Sequence, residues 1–457
     1  MSDTGDTVKA KRRMKWWHIV AAVLAVAVLV LVAVRVRDRT ILQRRLDAVR
    51  AAGYPVTFAE LDEWYEDVPS DKNAAEYVLD AITCFHKLEK QQERQLPWTG
   101  RDKMPARMEP LGEEVVGLIA DLLQKNQDAL ELLRKAGALE RSRYPIDLAK
   151  GYATLMPHLS DLRGTVRLLC LEAILSAERD EQESAVQALV SAFGVANSEA
   201  STPVLISQMV RQGGQSMALS ALERLVNRTT LDEAHLTRLR VVIAAAYDPN
   251  AMARGIAGER CMGIEVLRDP RATGLGIAPV TATEGPSLLQ LRAAQAVGLV
   301  DRLLVRYIDH VDHCLAAMRL PPAERLEVIG ELERKHRQMV EEHPKLTHFM
   351  PTMARFMRND LLHMTKIQVA AVALAVERYR LANNRLPEQL ADLVPQFLET
   401  VPADPYDGQA LRYKRLDPGF VVYSIGTDGT DDDGTERPPR QRGQEEPPYD
   451  ITFIVER

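Results

Sequence analysis

Residues 16–34 read WWHIVAAVLAVAVLVLVAV and contain no Asp, Glu, Lys or Arg. As a helix with a rise of about 1.5 Å per residue, this stretch would be roughly 28 Å long, close to the hydrocarbon thickness of a bilayer. Trp16 and Trp17 stand at its start, and such side chains are enriched where a helix meets the membrane surface. The sequence therefore predicts one transmembrane helix at residues 16–34, with the membrane as a binding partner.

Basic residues flank this stretch on both sides. Residues 1–15 form a polar tail with five Lys and Arg residues, and Arg35, Arg37 and Arg39 follow the apolar run. Because the run is longer than the core of a usual signal peptide and no small-residue cleavage site directly precedes Arg35, the pattern favours an uncleaved anchor. The pair at residues 12–13 leaves a twin-arginine export signal as an alternative. We expect the short tail in the cytoplasm and the body outside it.

The overall composition indicates a helical, globular body. Hydrophobic residues make up 46 % of the 457 residues, charged residues 27 % and aromatic residues only 5 %. Abundant Ala and Leu with few aromatic residues favour packed helices over β-sandwiches. The net charge of −6 argues against nucleic acid as a partner. The four cysteines form no CxxC pair, which excludes a zinc knuckle, and they are either buried thiols or two disulfides.

Residues 35–354 read as a succession of helices, from which we expect an irregular helical bundle or a short solenoid. Leu155–Ala177 and Ser184–Ala196 are apolar on more than one face and predict two central helices joined as a hairpin. Residues 268–288 hold three Pro and three Gly without apolar periodicity. This loop is a candidate partner-binding flap or a plain surface loop.

Helix starts are marked by capping residues at two places in this body. Thr57 and Glu60 have the spacing of a capping box, which predicts that a helix begins between them. Thr230 is the expected N-cap of a helix over Leu231–Ala246.

The C-terminal part, residues 355–457, has a different pattern. A long helix is expected to end at Asn383-Asn384, residues that tolerate the left-handed cap conformation. Leu411–Arg415 and Phe420–Ser424 predict two strands joined by an Asp-Pro-Gly turn, and Tyr449–Val455 predicts a third strand. The fold class is thus mainly α, with an N-terminal transmembrane helix, a helical domain and a small C-terminal α+β domain with an antiparallel sheet.

The order of three motifs carries a family resemblance. The motifs are YRLANNRLPEQLADL from Tyr379, VPADPYDGQALRY from Val401 and VVYSIGTDG from Val421. Over residues 360–434 this order resembles the C-terminal domain of the major pseudopilin of bacterial type II secretion systems. The resemblance implies a long helix packed on a small antiparallel sheet, a bacterial inner-membrane location and, in many family members, calcium in the loop after the last strand of the motif.

The acidic loop after Ser424 is the candidate calcium site. Its candidate ligands are carboxylates, which calcium prefers on flexible loops. They are Asp428, Asp431, Asp432 and Asp433. The spacing is not that of an EF-hand, and a solvated acidic turn is the alternative.

The sequence contains no recognisable catalytic motif. The patterns HExxH, GxSxG, GxxxxGK[ST] and GxGxxG do not occur. His310 and His313 share one helix face, but a metal site there would need a third ligand that the sequence does not identify. We therefore expect no enzyme and no cofactor other than the candidate calcium.

Together these patterns predict a single-pass, membrane-anchored envelope protein of scaffold or interaction type, with the pseudopilin-like domain as a partner-binding tip. Its expected partners are other envelope or secretion proteins. One alternative is a component of a type II secretion-like apparatus. Another is an envelope hydrolase whose residues converge from separate helices and leave no linear motif.

Overall fold

The computed structural model describes residues 5–98, 104–268, 288–344, 352–438 and 447–457. Helix α1 runs without a break over Gly5–Ala51. Within the described ranges, its part from Trp16 onward is the one helix long and apolar enough to cross a membrane, with a mean hydropathy of 3.0 in its most apolar window. Leu24 and Leu29 are 61 % and 67 % exposed, as expected for side chains whose surroundings are lipid. The predicted N-terminal apolar helix is confirmed.

Fourteen further helices are described. They are α2 Phe58–Trp64, α3 Ala74–Thr83, α4 Lys90–Glu93, α5 Glu113–Lys125, α6 Gln127–Gly137, α7 His158–Glu178, α8 Gln182–Asn197, α9 Leu205–Arg228, α10 Glu233–Ala246, α11 Pro249–Arg268, α12 Leu288–Ala296, α13 Leu299–Ala317, α14 Pro322–Glu342 and α15 Met353–Asn383. Short 3₁₀ helices cover Ser70–Lys72, Leu148–Ala153 and Leu390–Leu393. The mainly α prediction is therefore confirmed.

Helix α1 continues beyond its apolar run as a packed element of the body. After Val34, α1 turns one apolar face toward α13 and buries Leu42, Leu46 and Val49, which recur at helical spacing. Arg35 Nη1 lies 2.8 Å from Asp301 Oδ2 at the start of this contact. The apolar part of α1 and the body are thus joined through side chains and not only through a linker.

Helices α7, α8 and α9 form the centre of the larger core. Nearly every side chain of α8 from Ala185 to Ala196 is buried, and many of these are alanines that let neighbouring helices approach closely. Helices α6 and α8 come especially close, since a Cβ on Gly194 would lie 2.2 Å from the carbonyl oxygen of Gly137. The central helical hairpin expected from the sequence is therefore present, with α7 and α8 as its arms.

The C-terminal sheet has the order β1-β2-β3, with β1 Arg412–Arg415, β2 Phe420–Ser424 and β3 Ile451–Val455 all antiparallel. Strand β2 is buried along its whole length. One face of the sheet packs on α15 and shares the core of α7–α9, whereas Val421, Tyr423 and Ile454 form a small cluster on the other face. The predicted small antiparallel sheet is confirmed.

The sheet is also bound to the helical body by polar contacts. The Asn227 side chain on α9 donates to the Ile454 carbonyl at 2.8 Å and accepts from the Glu456 amide at 2.7 Å. The sequence-based boundary between residues 354 and 355 falls inside α15, and the hydrophobic core runs across it. In the described residues, the C-terminal part and the helical body thus share one core.

Two of the three capping predictions are confirmed. Glu60 N donates to Thr57 Oγ1 at 3.2 Å at the start of α2, and Asn384 ends α15 with a φ of 52°. The third prediction is wrong, because Asp232 and not Thr230 caps α10, with its carboxylate accepting from His235 N at 2.8 Å. The predicted loop at 268–288 lies almost wholly outside the described residues.

Candidate functional site

An open groove lies between the segment from α3 to Trp98 and helices α5, α7 and α9, with a volume of about 580 Å³. This size is within the range of ligand pockets. Its floor is apolar. The floor residues are Phe85, Leu88, Leu96, Trp98, Leu122 and Met217. The groove can therefore receive an apolar side chain or a similarly sized apolar group.

One buried amide fixes the wall of the groove that follows α3. Asn126, at the end of α5, accepts from the His86 amide at 2.8 Å and donates to the His86 carbonyl at 3.0 Å. The segment after Cys84 would otherwise leave these backbone groups unpaired near the core, which is costly. Asn126 thereby holds Phe85 and Lys87 over the groove.

Charged side chains form the rim of the groove. Lys87 Nζ lies 2.6 Å from Asp161 Oδ1, and Arg167 Nη2 lies 2.9 Å from Glu93 Oε1. Arg163 is exposed on α7 between these pairs and has no ion-pair partner among the described residues. The rim thus presents one unneutralised guanidinium, a group suited to bind a carboxylate or phosphate.

Two backbone features shape the same groove. Gly164 leaves space in its floor, since a Cβ there would lie 3.6 Å from the Phe85 ring, an ordinary contact distance. Trp98 has a φ of 63°, which is unusual for a residue with a large side chain and costs free energy. Such strained residues cluster at binding sites, so the Trp98 conformation marks this end of the groove as a candidate site.

A second recess, of about 300 Å³, is polar but lacks a histidine among its lining residues. Ser142 and Ser201 lie here, and Ser201 Oγ donates to the Ser142 carbonyl at 2.6 Å. The Asp248 carboxylate in the same recess is paired with Arg254. No described lining residue therefore forms a Ser–His pair that could activate a nucleophile here.

The acid–histidine pair of the body lies in the closed core instead. His158 Nε2 is 2.9 Å from Glu199 Oε1, and the His158 ring stacks on Tyr144 at 4.1 Å between centroids. Both members of the pair are buried, with Glu199 fully inaccessible. Tyr65 completes the cluster by accepting from the Tyr144 amide at 2.9 Å. This cluster ties α2 to the starts of α7 and α9 and has no open path to a substrate among the cavities described.

A second buried polar network connects α9, α14 and α15. Asp360 accepts from Gln212 Nε2 at 3.0 Å and from Tyr247 at 3.2 Å, and Arg325 lies 3.3 Å away. Burial raises the pKa of Asp360 to about 6, although Arg325 and Arg211 favour its ionised form. The network joins the C-terminal helix to the body through charge and hydrogen bonds.

His310 lies at the edge of a smaller recess between α13 and α14. Burial and the neighbouring His336 lower its pKa to about 4, and its Nε2 lies 3.8 Å from Cys314 Sγ. His313 is exposed one turn away. In the described part of the chain, no group of three or more His, Cys, Asp or Glu side chains is placed to hold a metal ion.

The acidic loop is held by contacts on both sides. Its four predicted ligands behave differently. Asp433 is paired with Lys414, and Asp431 lies 3.6 Å from the Arg412 guanidinium. Asp428 accepts from the Thr430 amide at 3.1 Å within its own turn.

Asp432 is the member of the four with a buried carboxylate oxygen that lacks a hydrogen-bond partner. Its backbone amide donates to Asp450 at 3.4 Å, while its Oδ2 has no hydrogen-bond partner. Burial together with Asp428 and Asp431 raises the pKa of Asp432. Calcium at this loop stays a prediction, and a cation there would offset the unpartnered Oδ2 of Asp432.

Asp404 shows what several motif residues of the C-terminal part do structurally. It is fully buried and accepts from Ser424 Oγ at 2.8 Å and from the Ile425 amide at 3.0 Å. Arg412 Nη1 lies 2.7 Å from Asp404 Oδ2, the oxygen that also accepts from the Ile425 amide. The Asp-Pro and Ser-Ile-Gly motifs therefore meet around one carboxylate that ties the 404–408 turn to the end of β2.

All four cysteines lie in the described part of the chain as free thiols. Cys170, Cys261 and Cys314 are buried, and Cys84 is half-buried. Burial raises the pKa of the Cys261 and Cys314 thiols to about 12, so these groups stay neutral at physiological pH. The sequence left open whether the cysteines are buried thiols or form two disulfides, and in the structure all four are thiols.

The groove residues were not identified from the sequence. Leu88 and Arg163 lie 75 residues apart in the sequence, and Met217 comes 54 residues after Arg163. One signal was present in the otherwise apolar α7, where small and polar residues recur at 160, 161, 163, 164 and 167 and form one stripe. No protein-family model, no curated protein and no solved structure matches this chain.

Proposed function

We propose that this chain is a single-pass, membrane-anchored interaction protein of the bacterial envelope, and that it acts through binding and not through catalysis. The observation that carries the proposal is the groove: an accessible apolar floor with an unpaired guanidinium on its rim. Its partner is a protein segment that brings an apolar or aromatic side chain and a carboxylate. The apolar side chain would lie on Phe85 and Leu88, and the carboxylate would face Arg163.

The distribution of polar groups favours binding over hydrolysis. The His158–Glu199 pair is closed off in the core, and the recess around Ser201 has no histidine among its lining residues. A hydrolase would need an accessible nucleophile beside a base, and the described open cavities do not bring one together.

Strands β2 and β3 of the C-terminal sheet offer little surface, which favours a partner site elsewhere in the body. Strand β2 is buried on both faces, and Asn227 occupies backbone groups at the end of β3. A sheet used in this way has little free surface for a partner. We therefore propose that the partner binds in the groove. The alternative hypothesis, a component of a type II secretion-like apparatus, would be decided by the identity of the partner.

Peptide display against the full chain in lipid nanodiscs tests this proposal. Peptides selected on the wild-type chain should share an apolar or aromatic residue near an Asp or Glu. Gly164→Leu fills the floor of the groove and should weaken binding at least about tenfold, equivalent to roughly 1.4 kcal/mol. Leu155→Ser is the matched control, because Leu155 is an exposed apolar residue outside the groove.

Three outcomes would contradict the proposal. Selection could yield no peptide with micromolar affinity, or it could yield peptides that bind Gly164→Leu as tightly as the wild-type chain. Turnover of an ester or peptide substrate that depends on Ser201 would favour the hydrolase instead. The orientation has its own test: on a Cys84→Ser background, Leu155→Cys should react with an impermeant maleimide in intact spheroplasts if the body lies outside the cytoplasm.

A further inference from the structure

Helix α12 exposes apolar side chains that the described residues of the body do not cover. Leu289 is 79 % exposed and Val297, directly after the helix, is 44 % exposed. Leu291, on the opposite side, is buried against the smaller core. The helix therefore has one face packed on the body and one face open.

The contacts of α13 locate α12 relative to the apolar span. Asp301 and Arg302 at the start of α13 pair with Arg35 and Asp38, and Asp309 further along pairs with Arg45. Along these pairs the residue numbers rise in both helices, so α13 runs parallel to α1 and away from the apolar span. The start of α13, and α12 just before it, therefore lie at the end of the body nearest the membrane.

Helix α11 confirms this placement from the other direction. Arg260 Nη1 lies 2.9 Å from Asp312 Oδ1, while Gly263, further along α11, faces Tyr307, which comes earlier in α13. Helix α11 therefore runs antiparallel to α13. Its last residue, Arg268, thus reaches the membrane-proximal end, where its carbonyl accepts from Gln295 on α12 at 3.0 Å.

The depth of α12 follows from Gly298, which links it to α13. A Cβ on Gly298 would lie 2.8 Å from Asp38 Oδ2. Asp38 is four residues after Val34, the last residue of the apolar run, or about 6 Å along the helix axis. The polar headgroup region extends roughly 5–8 Å beyond the hydrocarbon core on each side. Gly298 and the adjoining end of α12 therefore lie at headgroup level when α1 spans a bilayer.

The charge at this end of the body suits lipid phosphates. Arg39 and Arg292 are exposed and pair with no acidic side chain in the ranges described. Arg37 is 72 % exposed, with Asp38 as its nearest acid at 3.7 Å. A helix with an open apolar face and flanking basic residues is the pattern of segments that lie in a membrane interface.

We propose that α12 lies on the membrane surface, with Leu289 and Val297 at the boundary of headgroups and acyl chains and with Arg292 and Arg39 facing lipid phosphates. This contact rests on α1 spanning the membrane as proposed above. It gives the body a second attachment point and fixes its orientation toward the bilayer.

Spin labels in the full chain test the contact. On a Cys84→Ser background, nitroxides are attached at Leu289→Cys, Val297→Cys, Leu24→Cys and Leu155→Cys, in nanodiscs that contain anionic phospholipid. Leu155 matches Leu289 in exposure, at 79 %. Leu155 follows Gly151, which packs against Phe58 beyond the end of α1. That end of α1, at Ala51, is roughly 26 Å from Val34 along the helix axis. Compared with the label at 155, the labels at 289 and 297 should be more accessible to oxygen, which partitions into lipid, and less accessible to a water-soluble nickel chelate.

We expect the label at 24 to be exposed to lipid and the labels at 289 and 297 to show the intermediate accessibilities of the membrane interface. The label at 155 should remain exposed to water. Arg292→Glu should reduce the shift at 289, and nanodiscs of purely zwitterionic lipid should do the same. Labels at 289 and 297 that behave like the label at 155, with lipid exposure at 24, would overturn the surface contact and leave the anchor intact. Water exposure at 24 would overturn the anchor and this contact together.

Discussion

Two polar regions of this protein differ in where their charges lie. In the core, His158 with Glu199 and Arg325 with Asp360 are buried, and each carboxylate has neighbours from distant parts of the chain. Around the groove, pairs such as Lys87 with Asp161 lie at the rim in contact with water. The buried charges join helices, whereas the groove offers apolar contact and, among the described residues, the unpaired guanidinium of Arg163. The first region stabilises the fold, and the second is the region to which we assign recognition in the proposal above.

Removal of one buried partner should give the largest effect. Asp360→Ala leaves Arg325 without its carboxylate in the core, and the loss of one partner of a buried pair typically costs about 3–5 kcal/mol. Lys87→Ala is the control, since exposed pairs contribute less than about 1 kcal/mol. Denaturant unfolding followed by tryptophan fluorescence compares the two. Equal losses in both variants would remove the distinction between core and rim.

The acid sensitivity of the core should come next. His310 has a folded-state pKa of about 4, below the usual value near 6.5, so the unfolded chain binds the proton more tightly. Stability should therefore fall as the pH drops from 6.5 toward 4, by about 2 kcal/mol between pH 7 and pH 5 for this group. His310→Phe should remove that part of the loss, while the exposed His313→Phe should retain it. An unchanged pH profile in His310→Phe would count against a neutral, buried His310.

Much of the fold followed from local patterns. The apolar spacing of α7 and α8, the caps at Thr57 and Asn384 and the Asp-Pro-Gly turn before β2 depend on neighbours within a few residues, so a single sequence displays them. The N-cap of α10 was misplaced by two residues, because Thr230 and Asp232 are both good capping residues and only the tertiary structure selects between them.

The groove and the buried networks could not be predicted in this way. His158 meets Glu199 across 41 positions, and Gln212 meets Asp360 across 148. Such pairs depend on how helices cross, and no local spacing encodes that. Asn126, which holds the groove wall, looks like an ordinary helix end in the sequence. The four aspartates of the acidic loop were visible only because they are neighbours in the chain.

A substitution in the groove floor should have a smaller effect on the free energy of unfolding, and it should stabilise the protein. Gly164→Ala should stabilise the protein by about 0.5–1 kcal/mol, since glycine weakens a helix interior and the new Cβ fits beside Phe85. Gly258→Ala is the matched control within another helix. Its Cβ would lie 1.8 Å from the Pro203 carbonyl oxygen, so it should destabilise. Thermal unfolding of both variants checks the signs, and destabilisation by Gly164→Ala would mean that the floor is not open.

The smallest effect should belong to calcium at the acidic loop. Arg412 and Lys414 already offset two of the aspartates, so we expect weak binding, with a dissociation constant of about 1 mM. Calorimetric titration of the full chain should show heat at millimolar calcium, and Asp432→Asn should remove it. No heat in the wild-type chain would leave a solvated acidic turn.

Charge exchange at the rim tests the binding function most directly. The affinity of a selected acidic peptide and of its Glu→Lys counterpart is measured on the wild-type chain and on Arg163→Glu, all in nanodiscs. We expect the acidic peptide to bind at least about tenfold more weakly to Arg163→Glu, and the basic peptide to regain affinity on that variant. Equal binding of both peptides to both chains would contradict a partner carboxylate at Arg163 and, with it, the groove as the site of recognition.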